Sequence, residues 1–399
     1  MFQHVEPYAG DPILTLNETF QADPRPHKVN LSIGIYLDQD GRVPALDAVH
    51  QAEQQMAATK TARPYLPMEG SSAFRRAVQD LLFGATHPAV TGNRVATIQT
   101  IGSNGALKIG AEFLHRWFPA SSIWVSDPTW DNHRAVFEGA SVPVETYPYY
   151  DPDNGGVRFD AMRRTLGALP AQGIVLLHAC CHNPTGADLT QAQWTELAPI
   201  LRDRALIPFL DLAYQGFADG IEADAFAVRL LADLGLGFVV TNSFSKSMSL
   251  YGERAGALSI VCGVNEEADR VLGQMKSTVR QNYSSPPVHA GQIVTRLLTD
   301  PVLRTAWEHD LGQMRDRMTA MRIALHAALT RRVQHADFGY LLRQRGMFSY
   351  TGLTARQVDH LREEHAIYLL RSGRLCITGL NDTNIEAVAE AIAAVTRTA

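Results

Sequence analysis

The residues best equipped for chemistry lie in one run, Thr241-Asn242-Ser243-Phe244-Ser245-Lys246-Ser247-Met248-Ser249-Leu250-Tyr251-Gly252-Glu253-Arg254-Ala255-Gly256. Lys246 follows the apolar stretch Phe238-Val239-Val240, which places it just past a strand end. An amine, several hydroxyls and one guanidinium are the groups a phosphorylated aldehyde needs. The lysine forms a Schiff base with the carbonyl, while Arg254 and Ser243 hold the phosphate as fork and hydroxyl donor. Taken alone, a lysine after a strand is usually a solvated loop charge. The chemical reading therefore requires three more parts elsewhere: a partner for a protonated ring nitrogen, a phosphate cradle and a carboxylate clamp.

Asp211 closes the apolar run Phe209-Leu210 and is followed by Leu212-Ala213-Tyr214. A carboxylate there is costly unless it meets a cation, and a protonated pyridine nitrogen is one. That charge-assisted bond, worth about 1.5–3 kcal/mol, keeps the ring an electron sink; a helix cap is the plainer use of such an aspartate. Gly102-Ser103-Asn104-Gly105 reads as a glycine-bounded loop opening a helix from Ala106 to Trp117, and the free N–H groups of such a helix start suit a phosphate. His178-Ala179-Cys180-Cys181-His182 offers donors that zinc accepts. Adjacent cysteines on extended backbone point to opposite faces and no second ligand cluster appears, so no metal is expected. The Asn183-Pro184-Thr185-Gly186 that follows reads as a rigid turn presenting Asn183.

These residues need a scaffold. Apolar runs at Val95–Ile98, Ile123–Val125, Val142–Val144, Ile174–Leu177, Leu206–Leu210 and Phe238–Val240 alternate with helical patterns, which implies an α/β fold: a mostly parallel sheet covered by helices on both faces. The polar clusters fall after strand ends, where ligands bind in open sheets. Residues 1–42, with Pro7, Pro12, Pro24 and Pro26, read as an extended arm and part of a smaller domain; 43–312 as the large domain; and 313–399 as the C-terminal small domain. A long helix over about 301–332, with Trp307, Leu311, Met314, Met318, Met321 and Leu325 on one stripe, joins the two.

Composition narrows the class. The chain has 399 residues, 46% hydrophobic and 19% charged, with a net charge of −5. Mixed signs and a slight acidic excess argue against nucleic acid. No apolar run approaches a membrane span and the start lacks a leader pattern, so a cytoplasmic location is expected. Four cysteines in a chain this long fit reduced thiols better than a disulfide framework.

Taken together, Ser243-x-Ser-Lys246 with Arg254, Asp211-x-x-Tyr214, Asn183-Pro184-Thr185-Gly186 and Ser372-Gly373-Arg374 resemble the class I pyridoxal-phosphate aminotransferases of fold type I. Tyr65-Leu66-Pro67-Met68-Glu69-Gly70, Val125-Ser126-Asp127-Pro128-Thr129-Trp130 and Arg280-Gln281-Asn282-Tyr283-Ser284-Ser285-Pro286-Pro287 resemble the aspartate and aromatic-amino-acid branch. The resemblance spans nearly the whole chain. It implies pyridoxal 5'-phosphate carried on Lys246, with Asp211 on the ring nitrogen, Tyr214 and Asn183 on the ring oxygen, Trp130 on the ring face and His178 supporting Asp211. It implies Gly102, Ser103, Asn104, Ser243 and Arg254 on the phosphate, joined by Tyr65 from the other subunit of a homodimer. Arg374, near Gly34, would clamp the α-carboxylate, and Arg280 of the second subunit would meet a distal one.

The implied reaction transfers an amino group from an amino acid to a 2-oxo acid such as 2-oxoglutarate in two half-reactions, with Lys246 moving the Cα proton. Aspartate-specific members tend to be more polar where this chain has Leu37, Val43, Pro64 and Ser285, which implies aromatic amino acids as the preferred donors, with aspartate and glutamate also accepted through Arg280. An aspartate-preferring enzyme, a same-fold carbon–sulfur lyase and a non-catalytic regulatory protein are the alternatives.

Overall fold

The computed structural model describes residues 1–8, 10–59 and 62–397. A seven-stranded sheet organises it, with strands β1 (Val95–Ile101), β2 (Ile123–Asp127), β3 (Val144–Pro148), β4 (Ile174–His178), β5 (Ile207–Leu212), β6 (Phe238–Ser243) and β7 (Ala255–Val261). Their spatial order is β1-β7-β6-β5-β4-β2-β3, and β7 alone runs against the others. Strands β4 and β6 are buried along their whole length, as expected where helices cover both faces.

Strand β7 was not evident in the sequence, where the lysine run reads as a loop closing on Gly256. Its reversed direction matters. Ala255 is registered with Ile101 and Gly256 with Ser243, so the start of β7 lies at the same rim as the ends of β1 and β6. Gly256 is required there because a Cβ would sit 2.5 Å from the Gly102 carbonyl carbon and 2.8 Å from the Ser103 nitrogen.

Two expectations are corrected at the helices. The proline-rich arm contains a regular helix, α1 (Pro12–Ala22), whose Asp11 side chain accepts from the N–H groups of Ile13 and Leu14 at 2.9 Å each. Pro12 sits in its first turn, where a missing N–H leaves no bond unmade. Likewise Gly102-Ser103-Asn104-Gly105 is no loop: it is the first turn of helix α2 (Gly102–Trp117), directly after β1.

Helix α3 spans Asn265–Asn282, and the long helix α4 spans Pro301–Arg332, capped by Asp300. The stripe Trp307, Leu311, Met314, Met318, Met321 and Leu325 is buried. Trp307 Nε1 donates to the Ser247 carbonyl at 2.6 Å, tying this helix to the lysine loop. Beyond the large sheet, Val29–Asn30 pairs in parallel with Ile367–Tyr368, and Phe348–Tyr350 pairs antiparallel with Arg374–Cys376. These two short ladders bring the arm, Phe348 and Arg374 to the rim of the large sheet. No helix among the described residues is long and apolar enough to cross a membrane.

Candidate active site

The rim holds a cavity of about 180 Å³ lined by Ile13, Gly34, Ser103, Trp130, His178, Asn183, Asp211, Ala213, Tyr214, Lys246, Phe348 and Arg374. Nine of these were singled out from the sequence. Ile13, Ala213 and Phe348 were not, because an apolar wall residue carries no local signal.

Asp211 sits at the floor. Register pairs it with His178 on one side and Thr241 on the other. Its Oδ1 accepts from Thr241 Oγ1 at 2.9 Å, and its Oδ2 lies 3.1 Å from His133 Nε2. His133 is fully buried, and its Nδ1 lies 2.8 Å from Thr129 Oγ1, so a Thr129–His133–Asp211–Thr241 chain fixes the carboxylate. Burial pushes the Asp211 carboxyl up, but the His133 hydrogen bond and charge, with His178 and Thr241, outweigh it and leave it below the ordinary carboxylate value. His133 makes the direct hydrogen bond to Asp211, and His178, expected to support Asp211, lies with its ring 5.3 Å from the His133 ring and makes no hydrogen bond to the carboxylate itself. Burial first, then His133, bring His178 down to about 3, so it is neutral. His133 was missed because it lies on a helix, six residues past the Asp127 strand end, where sequence spacing does not reveal which ring reaches Asp211.

Lys246 Nζ stands 4.9 Å from the centroid of the Tyr214 ring. Burial brings its amine down to about 8; Asp211 opposes the shift, while Arg254 and Arg374 reinforce it. Tyr214 remains a phenol, its pKa raised by burial, and its hydroxyl accepts from Asn183 Nδ2 at 3.5 Å. Asn183 Oδ1 in turn accepts from Arg374 Nη1 at 3.3 Å. Arg374 is only 2% exposed; it also donates to the Ser32 carbonyl and lies 4.5 Å over the Phe348 ring. Desolvation lowers its pKa, a cost that an incoming carboxylate would relieve.

At the other end, α2 begins without a side-chain cap on its first-turn N–H groups. Arg254 stands beside it: a Cβ on Gly102 would lie 2.6 Å from Arg254 Nη2, and the Gly102 N–H donates to the Arg254 carbonyl at 2.9 Å. Buried Ser243, at the end of β6, shares this corner. Both His178 ring nitrogens and Arg374 Nε are buried without a partner among the described residues. An ionised carboxylate, unpartnered buried donors and an uncapped helix start beside an arginine are a fitting donor set for a phosphorylated pyridine aldehyde.

The other predicted residues do not line this cavity. Asn104 is exposed and its Oδ1 accepts from Asn132 at 2.6 Å; Leu37 and Ser285 are half-buried. Arg280 is exposed on the last turn of α3 and donates to Ser284 Oγ, and Tyr65 is 95% exposed.

Residues 26–392 match the family model described as aminotransferase class I and II. The chain belongs to this family. This aminotransferase is 57% identical to the aromatic-amino-acid aminotransferase of Escherichia coli K12 over 99% of its own length and 100% of the relative's. It is 50% identical to an aspartate aminotransferase of Pseudomonas aeruginosa, covering 98% of each chain. Its fold matches the crystal structure of a Burkholderia pseudomallei aromatic-amino-acid aminotransferase covalently bound to pyridoxal phosphate, with a TM-score of 0.97, 51% identity and 99% of each chain covered.

Proposed function

We propose that this aminotransferase uses pyridoxal phosphate to move amino groups from aromatic amino acids, and also from aspartate and glutamate, to 2-oxoglutarate. The observation that carries the proposal is the convergence of Lys246, Asp211 and Arg374 on one small cavity beside an uncapped helix start. Ser103, Gly102, Ser243 and Arg254 hold the phosphate, with Asn104 at the edge of that cradle. Asp211, fixed by His133 and Thr241, pairs with the ring nitrogen. Tyr214 and Asn183 hold the ring oxygen, and Trp130 covers the ring face. Bound there, the cofactor supplies a carbonyl that captures the amino group and a cationic ring that draws electrons from the substrate Cα–H bond.

The chain's own groups do the rest. Arg374 binds the α-carboxylate and, with Gly34 beside it, orients the Cα–H bond toward Lys246. Lys246 Nζ takes that proton as a neutral amine, which its lowered pKa makes available near neutrality. Ile13 and Phe348 wall the cavity against water.

The functional unit is read as a cytoplasmic homodimer. Exposed Tyr65 and Arg280 reach the second subunit's site, on its phosphate and on a distal substrate carboxylate, while Leu37 and Ser285 border the side-chain pocket. Residues 1–42 and 313–399 form the smaller lobe around the region 43–312. Steady-state kinetics with phenylalanine, tyrosine, aspartate and glutamate test the reading. A higher kcat/KM for phenylalanine and tyrosine than for aspartate and glutamate, with the acidic donors still turned over, is expected; a value for aspartate far above that for phenylalanine removes the aromatic preference. Pyruvate release from a cysteine conjugate without amino transfer moves the assignment to a carbon–sulfur lyase.

A further inference from the structure

Just before the Asn183 turn in the chain, Cys180 and Cys181 are buried, and so is Asp224. Their Sγ and carboxylate oxygen atoms lie within 4.8 Å of one another. The expectation that adjacent cysteines diverge fails here because Cys181 has φ +51°, off the extended path, so both thiols reach the same carboxylate. Gly346 closes over them: a Cβ there would sit 2.7 Å from Cys181 Sγ.

Two carboxylates, Asp188 and Asp224, stand beside the thiols, with the buried Arg322 guanidinium also near Cys181. Asp224 is 4% exposed and Asp188 is part-buried, and neither has an ion-pair partner among the described residues. Asp188 accepts from the Cys181 and His182 N–H groups at 2.7 Å each. Asp224 Oδ2 accepts from Gly216 and Ala218 N–H, and its Oδ1 from Asp219 N–H alone, which aims the carboxylate and leaves Oδ1 a free lone pair. Buried carboxylates are ordinarily paired or coordinated to a cation. A cavity of about 420 Å³, lined by Cys180, Asp188, Asp219, Asp224, Arg343 and Arg345 among others, reaches the cluster from outside. Arg345 there is engaged with Asp219 at 3.3 Å.

We propose that Cys180 Sγ, Cys181 Sγ and Asp224 Oδ1 form a site for one thiophilic divalent cation, Zn²⁺ or Cd²⁺, with water from the adjoining cavity as fourth ligand. Tetrahedral ligands on bonds of about 2.3 Å are separated by roughly 3.8 Å, a spacing the cluster accommodates. On binding, each thiol gives up its proton and forms a sulfur–metal bond; Cys181 thereby leaves its weak contact with the Tyr214 carbonyl at 3.8 Å. No electron is transferred.

The test titrates the cofactor-loaded protein with Cd²⁺ and follows the ultraviolet thiolate-to-metal charge-transfer band, with equilibrium dialysis giving stoichiometry. One ion per chain is expected, and Cys180→Ala or Cys181→Ala should each weaken binding by roughly tenfold or more. A Cys376→Ala variant should leave it unchanged. No band in the wild type, or a band that survives both single variants, overturns the site. Retained transamination by Cys180→Ala shows that its loss of binding does not come from unfolding; if that variant does not fold, Cys180→Ser carries the same comparison.

Discussion

The buried amine of Lys246 makes a quantitative prediction about how the cofactor-free enzyme captures its aldehyde. Only the neutral amine attacks a carbonyl, so the capture rate follows the neutral fraction. Burial disfavours the charged form and brings the amine from 10.5 to about 8, so protonation is lost as pH rises through 8. The neutral fraction is then about 10% at pH 7, about 50% at pH 8 and about 90% at pH 9. Stopped-flow absorbance after mixing stripped enzyme with pyridoxal phosphate should show a rate rising about tenfold from pH 7 to 9 and levelling there. A lysine near 10.5 would instead be about 0.03% neutral at pH 7 and about 3% at pH 9, giving a hundredfold climb that continues upward. A rate still rising steeply beyond pH 9 refutes the account of Lys246 as desolvated by its site.

Two further substitutions probe residues around that amine. His133→Ala removes the 3.1 Å bond to Asp211 and one side of the chain holding the carboxylate. A buried bond to a charged group is worth about 1.5–3 kcal/mol, so cofactor retention in equilibrium dialysis should weaken by roughly 10- to 150-fold; unchanged retention would place the support elsewhere. Trp307→Phe keeps an aromatic ring but removes the indole N–H and strands the buried Ser247 carbonyl, which should cost about 1–3 kcal/mol in denaturant unfolding. A variant as stable as the parent would show that the long helix does not brace the lysine loop through this bond.

The local chemistry of the site was legible in the sequence for a physical reason. In a mostly parallel sheet the strands end along one rim, so a polar cluster after each apolar run announces both the strand and its place at the site. Lys246, Asp211, Tyr214, Asn183 and Ser103 were found this way, and Arg374 through the family resemblance. The long helix Pro301–Arg332 was legible too, because its buried stripe recurs every three to four residues.

Other features depend on contacts between segments far apart in the chain. Arg254 reaches the start of α2 beside Gly102 because β7 runs backward, and its direction is decided by pairing with β1 and β6. Helix α1 forms despite its prolines because Pro12 falls in the first turn, and only packing brings Ile13 to the cavity. His133 rather than His178 bonds Asp211, a choice made by how a helix lies over the sheet. The two thiols face one carboxylate because a single backbone angle at Cys181 departs from extended geometry. Residue types and spacing determined which chemistry this chain could perform; tertiary packing decided which of several equivalent side chains performs each part, since that choice turns on distances that sequence order does not encode.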